Sequence, residues 1–176
     1  MYHLSRPTST QSLAEYFALL EPQLAGLHLT VSSCDPDRPW GGFLVFPESQ
    51  ASQFAQLFFP DTQLDTGTLQ LSPKLLVVRP GTRLSWQYHH RRSELWRPVL
   101  GPVGVATSPT DSHGPVQTLE TGTTLSIPLG VRHRLVGLDN WGVVAEIWQH
   151  TVPGHPSDET DIVRLSDDFG RGTPGA

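Results

Sequence analysis

Gly81-Thr-Arg-Leu-Ser-Trp-Gln87-Tyr-His89-His-Arg-Arg-Ser-Glu94, continuing six residues to Gly101, is the stretch on which the fold of this 176-residue chain turns. A second stretch answers it: Gly122, five residues, Pro128, Leu129, Gly130, two residues, His133. The two together read G-x5-Q-x-H-x4-E-x6-G and then G-x5-P-x-G-x2-H, and an ordered pattern of this length is far more specific than an isolated H-x-H. Outward from it, beginning at Lys74, short apolar or alternating runs occupy 74–79, 83–89, 94–100, 103–107, 117–120, 124–127, 132–136 and 142–149. Gly, Pro, Asp and Asn separate them, as in an antiparallel meander.

The flanks have a different texture. Residues 10–25 set Leu13, Phe17, Leu20 and Leu24 at helical spacing, with Ser9 or Thr10 available as a cap and Pro22 expected to bend or end the first part. Pro39-Trp40-Gly41-Gly42 is a turn-rich hinge into the apolar run Phe43–Phe46, and 48–59 again has helical spacing through Phe54, Leu57 and Phe58. The tail from Pro153 is polar. Gly and Pro number 16 each, which suits many short strands and tight turns. A formal charge of −5 without a cluster of basic residues argues against a nucleic-acid partner. No apolar run approaches ~18 residues, so no membrane span is expected. The single Cys34 excludes an internal disulfide, and the N-terminus lacks a charged-then-apolar leader, so a cytoplasmic location is expected.

The paired pattern is identified as the two-part signature of the cupin superfamily, with glutamine where the first half usually has histidine. The resemblance implies an all-β fold, a double-stranded β-helix or jelly-roll barrel, here with N-terminal helical additions. One domain is expected over 1–176: an N-terminal extension with helices at 1–72, a barrel core with both motifs at 73–150 and a C-terminal tail at 151–176. In a strand, residues two apart share a face, so Gln87 and His89 project together into the barrel. Glu94 follows a short turn on the antiparallel neighbour, and His133 arrives after the Pro128-Leu-Gly130 turn re-aims its strand. Two imidazoles, one carboxylate and one amide oxygen suit Zn, Fe(II), Mn, Co or Ni, among which ligand softness does not choose, and leave coordination positions open.

A narrower resemblance runs from Lys74 to Arg171. Lys74-Leu-Leu-Val-Val-Arg-Pro-Gly81, Leu84-Ser-Trp-Gln-Tyr-His-His-Arg-Arg-Ser-Glu94-Leu-Trp96, Ile127-Pro-Leu-Gly-Val-Arg-His-Arg134-Leu, Glu146 and Asp161-Ile-Val-Arg-Leu-Ser-Asp-Asp-Phe-Gly-Arg171 resemble the cupin domain of type II mannose-6-phosphate isomerases. Arg38-Pro-Trp-Gly41 looks like that family's opening turn. The resemblance implies that Gln87, His89, Glu94 and His133 hold zinc or a similar ion, and that the chain acts as a stand-alone isomerase of a sugar phosphate. It departs from the family in lacking the nucleotidyltransferase domain that usually precedes this cupin. Further departures are a longer stretch between Trp40 and Lys74, a polar insertion at 107–116, and Gly137 in place of the usual asparagine.

Aldose–ketose isomerisation through an enediol needs a base beside the metal. Glu146 is the candidate, because the strand Val143–Trp148 is apolar apart from that carboxylate; the plain alternative is a salt bridge to Arg134 or Lys74. Arg134, next to a ligand, is a candidate for both catalysis and phosphate binding, with Lys74 and Arg171 as further phosphate candidates. Arg91 and Arg92 could serve the phosphate too, but two adjacent arginines in a turn are expected to be solvated or at an interface. Trp86 and Tyr88 should face away from the metal, toward the N-terminal helices or a dimer contact, and Trp96, Trp141 and Trp148 are assigned to the core, with Trp148, two residues after Glu146, also placed to line the pocket. Among the other histidines, His90 is expected at the surface or an interface and His113 in solvent, while His150 and His155, where the chain leaves the last strand, are placed to edge the pocket; all four are weaker candidates for catalysis. The expected partners are a small sugar phosphate and a second copy of the chain in a homodimer. Two rival readings stand beside the isomerase: another metal-cupin enzyme such as an Fe(II) dioxygenase, and a non-catalytic sugar-phosphate-binding module.

Overall fold

Thirteen helices and strands, apart from two short 3-10 turns, organise the described residues, which are 4–8, 10–64 and 69–172 of a computed structural model. In chain order they are α1 (Leu13–Gly26), β1 (Ser33–Arg38), β2 (Gly41–Val45), α2 (Ala51–Phe58), β3 (Leu71–Val78), β4 (Trp86–His89) and β5 (Arg92–Leu100). There follow β6 (Val103–Ser108), β7 (Gln117–Leu119), β8 (Leu125–Ile127), β9 (Arg132–Val136), β10 (Gly142–His150) and β11 (Ile162–Ser166).

Alternation along β3, β5 and β10 dictates the layering. Leu75, Val77, Leu95, Val99, Val143, Ala145 and Ile147 point to one side, where α1 and α2 bury Tyr16, Phe17, Leu20, Leu24, Phe54 and Phe58 against them. The alternate residues Leu76, Val78, Trp96 and Val144 point to the other side and meet Val103, Val105 and Leu135 of the facing sheet. A sheet covered on both faces needs apolar residues at nearly every position, which is why β10 is buried almost throughout. Six strands form this sheet in the order β1-β2-β3-β10-β5-β8, and five form its partner in the order β11-β4-β9-β6-β7. All the pairings are antiparallel. The architecture is all-β and cupin-like, two antiparallel sheets facing across a shared core with helices added on the outside, as the motifs predict. The sheets draw strands from outside 73–150: the β1–β2 hairpin at one edge and β11 at another.

Several local expectations are corrected. The cap of α1 is Ser12, whose Oγ accepts from Glu15 N while Glu15 reaches back to Ser12 N, a reciprocal capping box. Thr10 precedes it in a turn, and Ser9 lies outside the described residues. The helix runs on through Pro22 to Gly26, with Leu20 and Leu24 fully buried on either side of the proline. The hinge at Pro39–Gly42 is the tight turn of the β1–β2 hairpin. Gly137, where asparagine was the norm, permits a close approach: a Cβ there would lie 1.8 Å from the Arg79 carbonyl oxygen. Among the described residues no helix is long and apolar enough to cross a membrane.

Candidate functional site

The turn between β4 and β5 brings the first motif together. His89 ends β4, and Arg92, Glu94 and Trp96 follow on the inner face of β5. Gly130, at φ 76°, closes the Pro128–Val131 turn and donates its N–H to the His89 carbonyl, which delivers His133 from β9 opposite β4.

His89, Glu94 and His133 converge, with ligand atoms within 4.8 Å of one another. Their chemistry can be read from their partners. His133 Nδ1 lies 2.9 Å from the Val131 carbonyl oxygen, an acceptor only, so Nδ1 carries the proton and Nε2 presents a lone pair. His89 Nε2 faces the Arg92 guanidinium at 3.1 Å, a donor only, so it too presents a lone pair. Burial pushes the His89 imidazole down to about 4, which keeps it neutral at pH 7 despite the Glu94 carboxylate beside it. The two Nε2 atoms stand 3.3 Å apart, and Glu94 places Oε1 3.1 Å from the first and Oε2 3.4 Å from the second. Glu94 is 1% exposed, and its Oε2 has no hydrogen-bond donor among the described residues. Burial alone would raise Glu94, but His89, His133 and Arg92 outweigh it and hold the carboxyl well below its ordinary value. Lone pairs and anionic oxygen converging in a buried space fit a divalent cation, and this donor set would hold one. Gln87 pairs in register with His133 and faces the same pocket. Its Oε1 accepts from Ser85 Oγ at 2.6 Å and keeps a second lone pair.

A row of side chains crosses β3, β10 and β5 beside this centre, where Glu146 stands opposite both Lys74 and Trp96. Trp96 Nε1 donates to Glu146 Oε1 at 3.0 Å. Burial, with the Glu94 charge adding to it, raises the Glu146 carboxyl to about 7 against the pull of Lys74, Arg92 and the Trp96 bond. Burial lowers Lys74 to about 8, with Glu146 opposing it. The Lys74 Nζ rests 3.1 Å from the centroid of Trp148. Glu146 and Lys74 are therefore both shifted out of their ordinary ranges toward neutrality, within one pocket that Glu94 and Gln87 also line.

The other candidates divide. Arg171 lines this pocket, its guanidinium paired with Asp167. Arg134 does not: it follows His133 in β9, so alternation turns it to the outer face, where it bonds the carbonyl and hydroxyl of Ser166 at 3.2 and 3.1 Å. The assignment of Arg134 to catalysis and phosphate is corrected accordingly. Trp86 faces away from the metal as expected, and its neighbours are not the N-terminal helices; it stacks on His113 at 4.7 Å and donates to the Asp111 carbonyl, under the 107–116 insertion. Trp96 and Trp148 line the pocket as well as the core. His150 is structural, bonded to Ser72 Oγ and to the Ser157 N–H.

Three arginines of the pocket stand outside the first candidates of the sequence reading. Arg38, from the β1–β2 hairpin, and Arg164, on β11, stand at the wall that Arg171 also lines. Arg92, read as solvated, is 2% exposed and bonds Glu94 Oε1 at 2.8 Å. The signal for Arg92 was present: two residues before Glu94 on one strand places it on the same face.

Residues 61–167 match the family model described as the mannose-6-phosphate isomerase C-terminal region. The mannose-1-phosphate guanylyltransferase of Salmonella montevideo is 36% identical over 98 residues, covering 56% of this chain and 19% of that protein. The xanthan biosynthesis protein XanB of Xanthomonas campestris pv. campestris is 31% identical over 134 residues, 76% of this chain and 23% of its own length. The chain thus spans about a fifth of the length of these relatives. Among solved structures, a mutant of Bacillus subtilis oxalate decarboxylase OxdC superposes with a TM-score of 0.54 at 12% identity, over 77% of this chain and 30% of that one, a likeness of fold alone. With more than half of its residues matching the family, and with His89 and Glu94 of the first motif meeting His133 of the second in one buried cluster, the chain belongs to the mannose-6-phosphate isomerase C-terminal family and has a cupin fold.

Proposed function

We propose that the chain is a metal-dependent aldose–ketose isomerase acting on a sugar phosphate of the mannose 6-phosphate type. The observation that carries this reading is Glu146, a carboxylate 4% exposed and raised to about 7, lining the pocket that Glu94 of the His89–Glu94–His133 cluster also lines. A base of that strength can take a carbon-bound proton and return it near neutral pH. The relatives support the substrate class, since one is named for mannose 1-phosphate and another for polysaccharide biosynthesis.

When bound, a divalent ion polarises the sugar carbonyl and stabilises the negative charge that develops on oxygen. His89, Glu94 and His133 would hold it, with Gln87 as the further donor. Glu146 takes the proton from C2 of the open-chain aldose and returns it to C1, while a hydroxyl proton passes from O2 to O1 and the carbonyl moves from C1 to C2. Lys74, one strand across, keeps the Glu146 carboxylate from rising further and belongs to this reacting end rather than to the phosphate. Trp148 and Trp96 exclude water from that end. Arg38, Arg164 and Arg171 supply the cationic wall that suits phosphate oxygens.

The test is a coupled isomerase assay on hexose, pentose and heptose phosphates, with protein stripped by chelator and reloaded with Zn, Mn, Co, Ni or Fe(II). Ion-dependent formation of fructose 6-phosphate from mannose 6-phosphate is expected. Oxygen uptake with Fe(II) and no isomerisation of any sugar would overturn the proposal in favour of a dioxygenase.

A further inference from the structure

Arg92 is bound at both ends. Toward the metal centre its Nε donates to Glu94 Oε1 at 2.8 Å and its Nη2 approaches His89 Nε2 at 3.1 Å. Toward the C-terminal segment its Nη1 donates to Ser157 Oγ at 2.8 Å and to the Asp158 carbonyl at 3.3 Å. The plane of the guanidinium lies over Trp148, 3.5 Å from the ring centroid, so the fork has little freedom to turn.

The segment that Arg92 grips is itself built onto the β4–β5 turn. Ser157 Oγ donates to Asp161 Oδ2 at 2.6 Å, and Asp161 also accepts the backbone N–H groups of His90 and Arg91 at 3.1 and 3.0 Å. The Arg91 guanidinium adds a bond to the Pro156 carbonyl at 3.0 Å. Just beyond, β11 pairs with β4, setting Ile162 opposite His89 and Arg164 opposite Gln87. This segment supplies Glu159, Ile162, Arg164 and Arg171 to the pocket wall. The carboxylate that would hold the ion and the chain that carries the anion-binding wall are therefore joined through one side chain.

We infer that Arg92 is a positioning residue that couples metal binding to the docking of residues 157–166, so that the metal end of the pocket and its anion-binding wall assemble together. The inference rests on His89, Glu94 and His133 holding a divalent ion. Arg92 fixes one oxygen of Glu94 and leaves Oε2, which has no donor among the described residues, to the ion. Linkage is reciprocal: an ion that favours the held form of Glu94 favours the docked segment by the same factor. A lysine at position 92 keeps the charge but cannot bridge Glu94 and Ser157 at once.

The experiment is amide hydrogen exchange on the full chain with and without Zn, beside Zn titration calorimetry, for wild type, Arg92→Lys, Ser157→Ala and His133→Ala. Zn should slow exchange in 157–166 of the wild type by about 10-fold or more, and Arg92→Lys should abolish that protection. Zn affinity should fall about 10–100-fold in Arg92→Lys, the range seen when outer partners of metal ligands are lost. It should fall several-fold in Ser157→Ala, which leaves the ligands and their charges untouched. Zn bound by the wild type with no change of exchange in 157–166 would overturn the coupling, as would wild-type affinity in both Arg92→Lys and Ser157→Ala. Loss of binding in His133→Ala separates that failure from failure of the metal centre, which would show as no Zn binding by the wild type.

Discussion

Replacing Glu146 by Gln should stabilise the protein while removing its activity. The carboxyl is raised from 4.5 to about 7, chiefly by burial. A raised carboxylate favours the protonated form in the fold, so the stability tied to it is intact below about pH 4.5 and is lost as pH rises through about 7. A shift of this size corresponds to about 3 kcal/mol once the group is fully ionised. Glutamine keeps an oxygen to accept the Trp96 N–H and carries no charge to desolvate. Part of the gain is offset, because Glu146 is the neighbour that most raises Lys74, itself lowered to about 8 by burial. Metal-stripped E146Q should therefore exceed the wild type by about 2–3 kcal/mol at pH 8, a rise of roughly 5–10 °C in Tm for a chain of this size. At pH 5 the difference should shrink to about 1 kcal/mol. Urea unfolding of both proteins at the two pH values checks this. An E146Q variant no more stable than the wild type at pH 8, or an advantage equal at both pH values, would refute the claim that Glu146 is a buried carboxylate ionising near neutrality.

Other variants separate the roles. His133→Ala and Glu94→Gln should each weaken Zn binding by at least about 100-fold, read by metal analysis after dialysis, because each removes a convergent donor. Arg134→Ala should leave Zn content and KM unchanged but lower stability by about 1–3 kcal/mol in urea unfolding, since its bonds to Ser166 tie β9 to β11 on the outer face. Trp96→Phe removes the donor that holds Glu146 down, so the acidic limb of the kcat/KM profile should move up by about one pH unit. Ser12→Ala should cost about 1 kcal/mol by opening the capping box of α1, measured by thermal unfolding.

Much of the centre was legible because alternation in a strand is a rigid rule. Gln87 and His89 were placed by it, and Glu146 was singled out as the lone charge in an apolar strand; Gln87 and Glu146 line the pocket, and His89 lies in the cluster with Glu94 and His133. The same rule, applied to Arg92-Ser-Glu94 and to His133-Arg134, would have brought Arg92 inward and sent Arg134 outward. A turn reading of two adjacent arginines hid the first, and proximity in sequence to a ligand misled on the second. Strand β1, with sequence Ser-Cys-Asp-Pro-Asp-Arg, carries turn residues that an edge strand tolerates because Pro36 owes no N–H to a further neighbour. Its pocket residue Arg38 went unseen with it. Strand β11 lies in a polar tail, and its place beside β4 rests on the long-range contacts of Asp161 and Arg91 rather than on local pattern. Trp86 was correctly turned away from the metal, but its partner His113 comes from the 107–116 insertion, a contact no local spacing encodes.

The most direct measurement is the conversion of mannose 6-phosphate in D2O by metal-loaded wild type and by E146Q at matched metal content. The account predicts that the wild type forms fructose 6-phosphate carrying solvent deuterium at C1, and that E146Q holds the same ion without turnover. Undiminished turnover by E146Q would contradict the assignment of the base, and a metal-loaded wild type that isomerises no sugar phosphate would contradict the proposed reaction.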